Sequence, residues 1–563
     1  MFFLRLLQIL FLLGLSQQAQ APTPAVPQAP DLASTFRISG RVVDAVSGQP
    51  LGRASVSISV SATPDAPASL DSSRVELTDP EGRFVFAGVA PGKYSLSAHR
   101  RGYFPQMYQQ HESFTTAIVV GPGLESENLV FGLRRSASIS GEVRDESDDP
   151  VRHATVMLFR EHLVGGRRRA SSTRQAATDD QGRYHFGQLP PGTYFVSVSA
   201  QPWYAQHNTR LHRKQENQDV VFSSPHSSDE ENQPLDVVYE SVFFPDSNDL
   251  AGAAPLALHA GDMAIADFRL RPIPALHILV RTPATDPNQG VGIQVSQTLA
   301  EGHETHIPVA VNQVSPGLME VSGVPPGRLN LVLMTPNGNG NPPTRRTQSV
   351  QVSSDAEIDS SQSASPVMVS GILKMDDASR VPQPARVLLR NLASGQAFTA
   401  DVSTAGEFSF KNNPVEMGSY ELLIIEPQAL FIRTLSSTGA KTTGRSFQIT
   451  GPQDLSITIN ASKGTGRITG TALKNDKPAS GVMIVLAPLD LLSNPALFRH
   501  DQSDSDGTFS LNAVVPGRYT LMAIDDGWDL EWANPEVMKK YLAGGENVEI
   551  APYQKPDLKV NVQ

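Results

Sequence analysis

Two glycine turns at a nearly constant spacing recur five times along this chain. The first turn has the pattern T-D-x-x-G-x-[FY] or a degenerate form of it, and a P-G turn or its relic follows. The two glycines are ten residues apart in four copies and twelve in the fifth. This spacing predicts a β-hairpin of one length, built five times. The first turns begin at Thr78, Thr178, Ser403 and Ser503, with a degenerate copy at Pro316–Gly317, and the second turns end at Gly92, Gly192, Gly327, Gly418 and Gly517.

The length and composition agree with an array of small domains. At about 100–150 residues per domain, 563 residues correspond to four or five domains. The 43 glycines and 43 prolines suit turn-dense β-structure. The net charge of −11 argues against non-specific binding to nucleic acid or anionic lipid, and we interpret the basic cluster Arg167–Arg169 as a solvated loop. Because one small scaffold recurs, no deep catalytic cleft is expected.

The N-terminus predicts a cleaved secretory signal peptide over residues 1–21. Arg5 supplies the positive charge, Leu6–Leu15 the apolar stretch and Ala19–Ala21 the small residues at the cleavage site. Residues 22–33 are rich in proline and alanine and are expected to be disordered. No transmembrane segment is expected further on, and the lack of cysteine excludes disulfides and a lipidated anchor. These features predict a secreted, periplasmic or cell-surface protein.

Short strands with alternating polarity surround each pair of turns and define a module. Apolar residues at every second position, as in Ala54–Ile58 and Ala154–Leu158, bury one face of a sheet. About seven strands per module suit a small β-sandwich. The predicted fold is therefore all-β, a tandem array of about five sandwiches. We divide the chain into module 1 (34–135), module 2 (136–272, with an insertion at 201–250), module 3 (273–365), module 4 (366–462) and module 5 (463–563).

Three segments depart from the module pattern. The stretch 201–250 is a long polar insertion, and Ser353–Ser365, rich in serine and aspartate, is interpreted as a linker. Trp528–Leu542 predicts one short helix near the C-terminus. In that helix Asn534 is expected to cap the N-terminus and Pro535 to occupy the first turn.

Modules 1 and 2 resemble the carboxypeptidase regulatory-like domain family. The segments that carry the resemblance are ISGRVVDAVSGQPLGRASVSI with LTDPEGRFVFAGVAPGKYSLSAHRRGY in module 1, and ISGEVRDESDDPVRHATVMLF with ATDDQGRYHFGQLPPGTYFVSVSA in module 2. Module 5 is similar in a looser way, module 4 lacks the Asp and Pro of the two turns, and module 3 is the most degenerate. The resemblance implies a prealbumin-like (transthyretin-like or Ig-like) β-sandwich grouped with carbohydrate-binding-like folds. Such modules occur in tandem in secreted bacterial proteins and beside some zinc carboxypeptidases.

The motifs of known enzymes are missing from the sequence. None of the 13 histidines is followed three residues later by glutamate, the H-x-x-E spacing that the resemblance would require for zinc. In His303-Glu304-Thr305-His306 the histidines are three residues apart, whereas a zincin helix needs four. There is no cysteine and no G-x-S-x-G motif. We therefore predict no enzyme activity, no catalytic residue, no metal and no cofactor.

Acidic pairs in the turns have a structural explanation. Asp504-Ser505-Asp506-Gly507 resembles part of a calcium loop, but an EF-hand register would need ligands at Gln502 and Ala513. The equivalent turns hold Asp79 and Asp179, and aspartate commonly hydrogen-bonds turn backbones. A structural turn is therefore the preferred interpretation.

Aromatic residues just past the last hairpin strands form the candidate binding site. Sugar-binding proteins commonly stack aromatic rings on the apolar faces of sugars. The residues at matching ends of three modules are either such a ligand platform or packing between neighbouring modules. They are Tyr103, Phe104 and Tyr108 in module 1, Trp203 and Tyr204 in module 2, and Trp528 and Trp532 in module 5.

The functional prediction is a secreted, non-enzymatic rod of binding modules. Its partner would be a polysaccharide or a cell-surface protein, not nucleic acid, and glycans are the class that the family resemblance implies. The sandwiches would act as rigid spacers, with multivalency adding to weak single contacts. One alternative is a structural spacer or protein-interaction scaffold of the cell envelope. A second is an accessory subunit of a separately encoded zinc carboxypeptidase.

Overall fold

The computed structural model describes residues 35–61, 73–207, 211–213, 220–222, 235–282, 291–300, 303–335, 344–360, 367–410, 415, 417–451, 453–489 and 495–563. The predicted signal peptide and the lead at 22–33 lie outside these residues. The expected all-β tandem array with one short helix is confirmed. Each module consists of two packed sheets. The strands of module 1 are β1 Phe36–Asp44, β2 Ser55–Val60, β3 Arg74–Leu77, β4 Arg83–Val89, β5 Gly92–His99, β6 Gln106–Met107, β7 Ile118–Val120 and β8 Leu129–Leu133.

Modules 2 and 3 follow the same plan. The strands of module 2 are β9 Ala137–Arg144, β10 Thr155–Val164, β11 Arg167–Ala177, β12 Arg183–Leu189, β13 Gly192–Ser199, β14 Leu211–Arg213, β15 Val220–Phe222, β16 Val237–Val238, β17 Val242–Phe243, β18 Leu256–Leu258, β19 Met263–Ile265 and β20 Phe268–Arg269. Those of module 3 are β21 Ile273–Pro274, β22 Leu276–Arg281, β23 Gly292–Ala300, β24 His303–Ile307, β25 Ala310–Ser315, β26 Leu318–Val324, β27 Gly327–Thr335, β28 Thr344–Val352 and β29 Ala356–Asp359.

Modules 4 and 5 complete the array. The strands of module 4 are β30 Val369–Met375, β31 Arg386–Asn391, β32 Ala397–Asp401, β33 Glu407–Ser409, β34 Gly418–Glu426, β35 Leu430–Thr438, β36 Lys441–Thr443, β37 Ser446–Ile449 and β38 Leu455–Lys463. Those of module 5 are β39 Gly466–Lys474, β40 Lys477–Pro478, β41 Met483–Pro488, β42 Arg499–Gln502, β43 Thr508–Val514, β44 Gly517–Ile524, β45 Glu546–Ile550 and β46 Asp557–Asn561, with 3-10 turns at Pro495–Leu497 and Gly527–Asp529 and the helix α1 at Pro535–Leu542.

The same strand pairing recurs in every module. The opening strand lies between an antiparallel neighbour and a parallel one from the end of the module, as β1 lies between β4 and β8. The pairs β9 with β19, β22 with β29, β30 with β38 and β39 with β46 are parallel in the same way. The centre of the second sheet is a different antiparallel pair of strands, which in module 1 is β2 with β5. Each sandwich encloses its own buried apolar core.

The predicted hairpin between the glycine turns is wrong in four modules. Strand β4 pairs with β1 in one sheet, whereas β3 and β5 both pair with β2 in the other. Both turns therefore carry the chain from one sheet to the other, and the same holds in modules 2, 4 and 5. In module 3, β25 and β26 do form a hairpin around the first turn. The spacing of the turns determines the length of the strand between them. It does not determine which strand pairs with it, because that depends on the packing of the two sheets.

The first glycine turn is held by a buried hydroxyl. Thr178 is 2 % exposed; its hydroxyl donates to the carbonyl of Val151 at 2.6 Å and accepts from the amide of Ala154 at 2.8 Å. Thr78 and Ser503 make the matching pairs in modules 1 and 5. Because an unpaired buried hydroxyl is costly, this position selects Thr or Ser. The glycine of the turn has a positive φ, 72° at Gly182, and a side chain there would meet the carbonyl of Val143.

Two of the exceptional segments are clarified by the structure. The linker interpretation of Ser353–Ser365 is wrong for Ala356–Asp359, which form β29 and pair in parallel with β22. The short helix is confirmed: its N-cap is Asn534, whose side chain accepts from the amide of Glu536, and Pro535 is the first residue. The helix begins seven residues later than the predicted segment, after the 3-10 turn at Gly527–Asp529.

The predicted rod is also wrong, because the first and last modules touch. Lys93 of module 1 forms an ion pair with Asp504 of module 5, a separation of 411 residues in sequence. The hairpin of β10 and β11 in module 2 reaches both module 4 and module 5. The array is therefore closed on itself. Angles between modules depend on a few side chains at their junctions, and strand periodicity carries no information about them.

Candidate functional site

The junction of modules 1 and 5 is built on a turn aspartate with a changed role. In module 2 the carboxylate of Asp179 accepts from amides of its own turn, those of Gln181 at 2.9 Å and Arg183 at 2.8 Å. In module 5 that turn is bridged by Asp506 instead. The carboxylate of Asp504 is thereby free to accept from Lys93 and from the amide of Ala117 at 3.0 Å. The extra aspartate of the S-D-S-D-G turn, Asp506, thus holds the turn, and Asp504 serves the contact between modules.

Backbone and amide groups extend this junction. Ser505 donates its amide to the carbonyl of Ala117 at 3.0 Å and accepts from the amide of Val119 at 2.8 Å. Gln502 is 2 % exposed and donates to the carbonyl of Gln109 at 2.6 Å and to the hydroxyl of Thr116 at 2.7 Å. The interface is therefore hydrogen-bonded in its buried part, as a stable contact requires.

Aromatic rings close the same junction. The indole of Trp528 stacks on the imidazole of His111, with centroids 4.6 Å apart and planes within 4°. Phe114 lies 5.9 Å from Trp528 and 4.4 Å from the ring of His500. These contacts join the turn of module 1 that contains Glu112 to the start of the helical segment of module 5.

The basic cluster of module 2 belongs to the junction as well. The solvated-loop interpretation of Arg167–Arg169 is wrong, because these residues open β11. Arg168 donates its amide to Glu531 at 2.9 Å and its guanidinium to the carbonyl of Asp529 at 3.1 Å. Arg169 donates to the carbonyl of Leu392 at 2.9 Å, in module 4. The arginines at the start of β11 therefore bind module 2 to modules 4 and 5. A run of charged residues in the sequence did not indicate these contacts.

A cleft of about 570 Å³ lies where modules 1, 2 and 5 meet. This size falls within the range of small-ligand sites. Phe104, His111 and Trp528 supply rings, and three arginines stand among four acidic residues. We call this the polar cleft. Its charged residues are Arg134, Arg160, Arg168, Glu112, Glu161, Asp526 and Asp529.

Two arginines of the polar cleft retain hydrogen-bonding capacity. The Nε of Arg160 is buried without a hydrogen-bond partner among the described residues, and its terminal nitrogen is 3.6 Å from Glu112. Arg134 is exposed, and its guanidinium has no hydrogen bond or ion pair with the part of the chain that the structure describes. Guanidinium donors of this kind suit an oxygen-rich ligand. The nearly balanced charge gives no net preference for an ion.

Burial shifts the pKa values of three groups in module 5 at this junction. It lowers the pKa of His500 to about 4, and the neighbouring Arg499 lowers it further. It raises the pKa of Asp501 to about 6, against hydrogen bonds from the amides of Ser510 and Gln502. Burial also raises the pKa of Asp504 although Lys93 opposes this. The pKa of His111 is lowered, again chiefly by burial.

We expect His500→Gln and Asp501→Asn to change the acid sensitivity of the protein in opposite directions. His500 protonates near pH 6.5 when unfolded and near 4 when folded, so its contribution to stability is lost as pH falls through that range. Asp501 protonates near pH 6 when folded and near 3.8 when unfolded, so stability is gained as pH falls. Between pH 7 and about 4.5 the thermal midpoint of His500→Gln should therefore drop less than that of the parent, and that of Asp501→Asn more. Equal drops in both variants would contradict these assignments.

The structure separates the seven candidate aromatic residues. Trp203 is 86 % exposed, and Tyr204 beside it donates its hydroxyl to Glu146. Tyr103 and Tyr108 are buried in the core of module 1, where the Tyr103 hydroxyl donates to Asp44 at 3.0 Å. Burial removes these two tyrosines from any exposed platform.

The remaining three candidates lie at the junction. Trp532 is buried in a second apolar cluster of module 5, and a side chain at Gly166 of module 2 would clash with its ring. Trp528 and Phe104 are partly buried and line the polar cleft. Packing between modules thus accounts for Trp532 and for one stacked face of Trp528. Phe104, Trp528 and the exposed Trp203 remain accessible to a ligand, and of these three Phe104 and Trp528 line the polar cleft.

Sequence reasoning missed a buried ionic network between modules 2 and 3. His277 is fully buried, with Nδ1 2.8 Å from Glu320 and Nε2 2.8 Å from Asp236. Asp236 also lies 3.1 Å from Nδ1 of His207. The available signal was a histidine in the opening strand Leu276-His277-Ile278, where the other modules have a small polar residue. Its partners come from distant segments and gave no local signal.

The described residues contain neither a cluster suited to a metal ion nor a membrane-spanning helix. Within the described ranges no group of three or more His, Asp or Glu side chains is placed to hold a metal ion. The segment His303-Glu304-Thr305-His306 forms β24, so its two histidines point to opposite faces. No helix in the part of the chain that the structure describes is long and apolar enough to cross a membrane.

The fold and the junction define a multi-module β-sandwich protein with a ligand-sized cleft between modules. Residues 37–127 and 138–223, which lie in modules 1 and 2, match the sequence model of the carboxypeptidase regulatory-like domain. No curated protein matches the chain.

The chain is similar to solved structures of several bacterial proteins. GBS52, the minor pilin of Streptococcus agalactiae, is 14% identical, with 35% of this chain and 94% of that chain covered and a TM-score of 0.17. The TIE protein of Bacillus anthracis is 10% identical, with 95% and 76% covered and a TM-score of 0.16. Two B repeat units of the collagen binding protein of Staphylococcus aureus are 10% identical, with 70% and 93% covered and a TM-score of 0.14. At TM-scores this low, the fold class rests on the sheets described above.

Proposed function

We propose that this protein is a non-enzymatic binding protein that acts outside the cytoplasm, secreted or at the cell surface, and that it holds an uncharged glycan in the polar cleft. The observation that carries the proposal is the cleft itself, which three modules build together. The cleft presents aromatic rings on which a sugar can stack. It also presents guanidinium and carboxylate groups, which can form hydrogen bonds with sugar hydroxyls. The expected N-terminal signal peptide supports the location.

The closed array favours this function over a spacer. A spacer gains from an extended array, whereas here module 5 is held against module 1 by an ion pair, an amide network and stacked rings. That contact brings Trp528 next to Arg134 and Arg160 across the cleft. Closure therefore creates the site, and no single module contains it.

We expect Arg134→Ala to weaken glycan binding about 10- to 100-fold, because a hydrogen bond from a charged donor contributes roughly 1.5–3 kcal/mol. The ligand would first be found on an array of neutral glycans, and affinity then measured by calorimetry on the intact chain. Arg101→Ala is the matched control, since Arg101 is also an exposed arginine of module 1 and does not line the cleft.

Trp203→Ala distinguishes the cleft from the exposed tryptophan of module 2. We expect it to leave the affinity unchanged within about twofold. Binding that disappears in Trp203→Ala and persists in Arg134→Ala would place the ligand at Trp203 and contradict the cleft. Absence of retention on any neutral glycan at high protein concentration would contradict glycan binding altogether.

A further inference from the structure

A second depression of about 300 Å³ lies beside the polar cleft, where modules 1, 2, 4 and 5 meet. We call it the apolar recess. A depression with apolar side chains in its wall, built by several modules together, has the character of a site for an apolar ligand group. Its apolar lining comprises Phe114, Leu163, Leu423, Met483, Phe498 and Trp532.

Two polar side chains of the recess, Arg390 and His500, are engaged or neutral. Arg390 donates to Glu421 at 2.5 Å, and Glu421 is fully buried in module 4. The ring of His500 packs between Phe114 and Trp532, at centroid distances of 4.4 and 5.0 Å. Burial keeps the pKa of His500 low, so that the ring is uncharged at neutral pH. The recess thus offers contact for an apolar group and little for an ion.

The recess and the polar cleft are neighbours that share lining residues. Glu112, Leu163 and Trp528 line both, so a ligand that extends past these side chains can reach into the two together. We propose that the recess holds the apolar aglycone, an alkyl chain or aryl ring, of a glycoside whose sugar lies in the polar cleft. This inference rests on the proposed glycan binding and specifies the class of glycan, an amphipathic glycoside.

Tryptophan fluorescence gives a direct test. The chain has three tryptophans, and Trp203→Phe leaves only Trp528 and Trp532, which both line the recess. Titration of this variant with n-octyl β-D-glucopyranoside below its micelle concentration should shift the emission and give an affinity at least about tenfold tighter than methyl β-D-glucopyranoside, because each buried methylene is favourable. Ala496→Phe, added to fill the recess, should abolish the gain while leaving methyl glucoside binding intact.

Two controls separate filling from misfolding. Ala251→Phe makes the same substitution at an exposed position of module 2 and should change nothing. Leu163→Ser removes an apolar side chain from the recess without adding volume. It should also reduce the difference in affinity between the octyl and methyl glucosides, so the test remains possible if Ala496→Phe does not fold.

Each outcome decides between the two proposals. Equal affinity for the octyl and methyl glucosides overturns the recess inference and leaves glycan binding standing. Binding of n-octanol as tightly as the octyl glucoside overturns the two-part ligand, because the sugar then contributes nothing. No response to any of these probes overturns the recess inference, while the neutral glycan array independently decides whether the polar cleft binds sugars.

Discussion

Replacing Asp504 with lysine is expected to separate module 5 from module 1. The substitution places two ammonium groups together, at positions 93 and 504, and leaves the amide of Ala117 without its acceptor. The side chain of Asp504 is largely buried and that of Lys93 is partly exposed. Placing two like charges there costs on the order of 2 kcal/mol, at the low end of the range for charge pairs at an interface, and this weakens the contact. Small-angle scattering should show a larger radius of gyration and maximum dimension. The emission of Trp528 should shift to longer wavelength as its stack on His111 is lost.

The turn of module 2 supplies a matched control for this experiment. Asp179 occupies the equivalent position, is exposed and bonds only amides of its own turn. Asp179→Lys should therefore perturb one turn and leave the scattering profile unchanged. Combining Asp504→Lys with Lys93→Asp restores an opposite pair and should close the array again. A scattering profile of Asp504→Lys that superimposes on the parent profile would show that the ion pair does not hold the modules together.

Replacing His277 with leucine is expected to destabilise the junction of modules 2 and 3 by about 3–5 kcal/mol, the typical effect of removing one member of a buried ionic group. Both ring nitrogens lie 2.8 Å from carboxyl oxygens, within hydrogen-bond distance. Leucine keeps the volume and removes the hydrogen-bond partner of both Asp236 and Glu320. Urea unfolding followed by circular dichroism should show a lower midpoint for the corresponding transition.

An exposed histidine provides the comparison for His277→Leu. The side chain of His259 is 87% exposed, and its Nδ1 lies 3.1 Å from the carboxylate of Asp262 in the same turn. His259→Leu should change stability by less than about 1 kcal/mol, as expected for a surface pair. If both leucine variants unfolded at the same urea concentration as the parent, the buried network would be no more than neutral to stability.

The fold class followed from local patterns that depend on short-range geometry. Alternation with period two requires strands with one buried face, and the recurring turn requires both a buried hydroxyl and a glycine with positive φ, as at Thr178 and Gly182. The cap at Asn534 is equally local. The pairing of the strands was harder to predict from the sequence. The turn spacing suggested hairpins, yet β4 and β5 lie in opposite sheets. The alternation of a strand specifies which of its faces is buried but does not specify which strand lies beside it.

The candidate site was only partly accessible from the sequence for a related reason. Seven aromatic residues were singled out by their position at module ends, and of these Phe104 and Trp528 line the cleft. Tyr103 and Tyr108 are core residues, since an aromatic ring past a strand end can fold inward as readily as outward. Arg134 and Arg160 carried no signal at all. A cleft between modules is made of residues that share no local pattern.

Local residue patterns were enough to predict β-sandwiches with a common turn chemistry, because burial, hydroxyl pairing and backbone sterics act over a few neighbouring residues. The closure of the array became apparent from the contacts between modules. That outcome depends on one aspartate, Asp504, pointing away from its own turn toward Lys93, more than four hundred residues distant in sequence. Contacts between modules involve few residues in no periodic order, and so the polar cleft and the apolar recess become visible only when the modules are placed together.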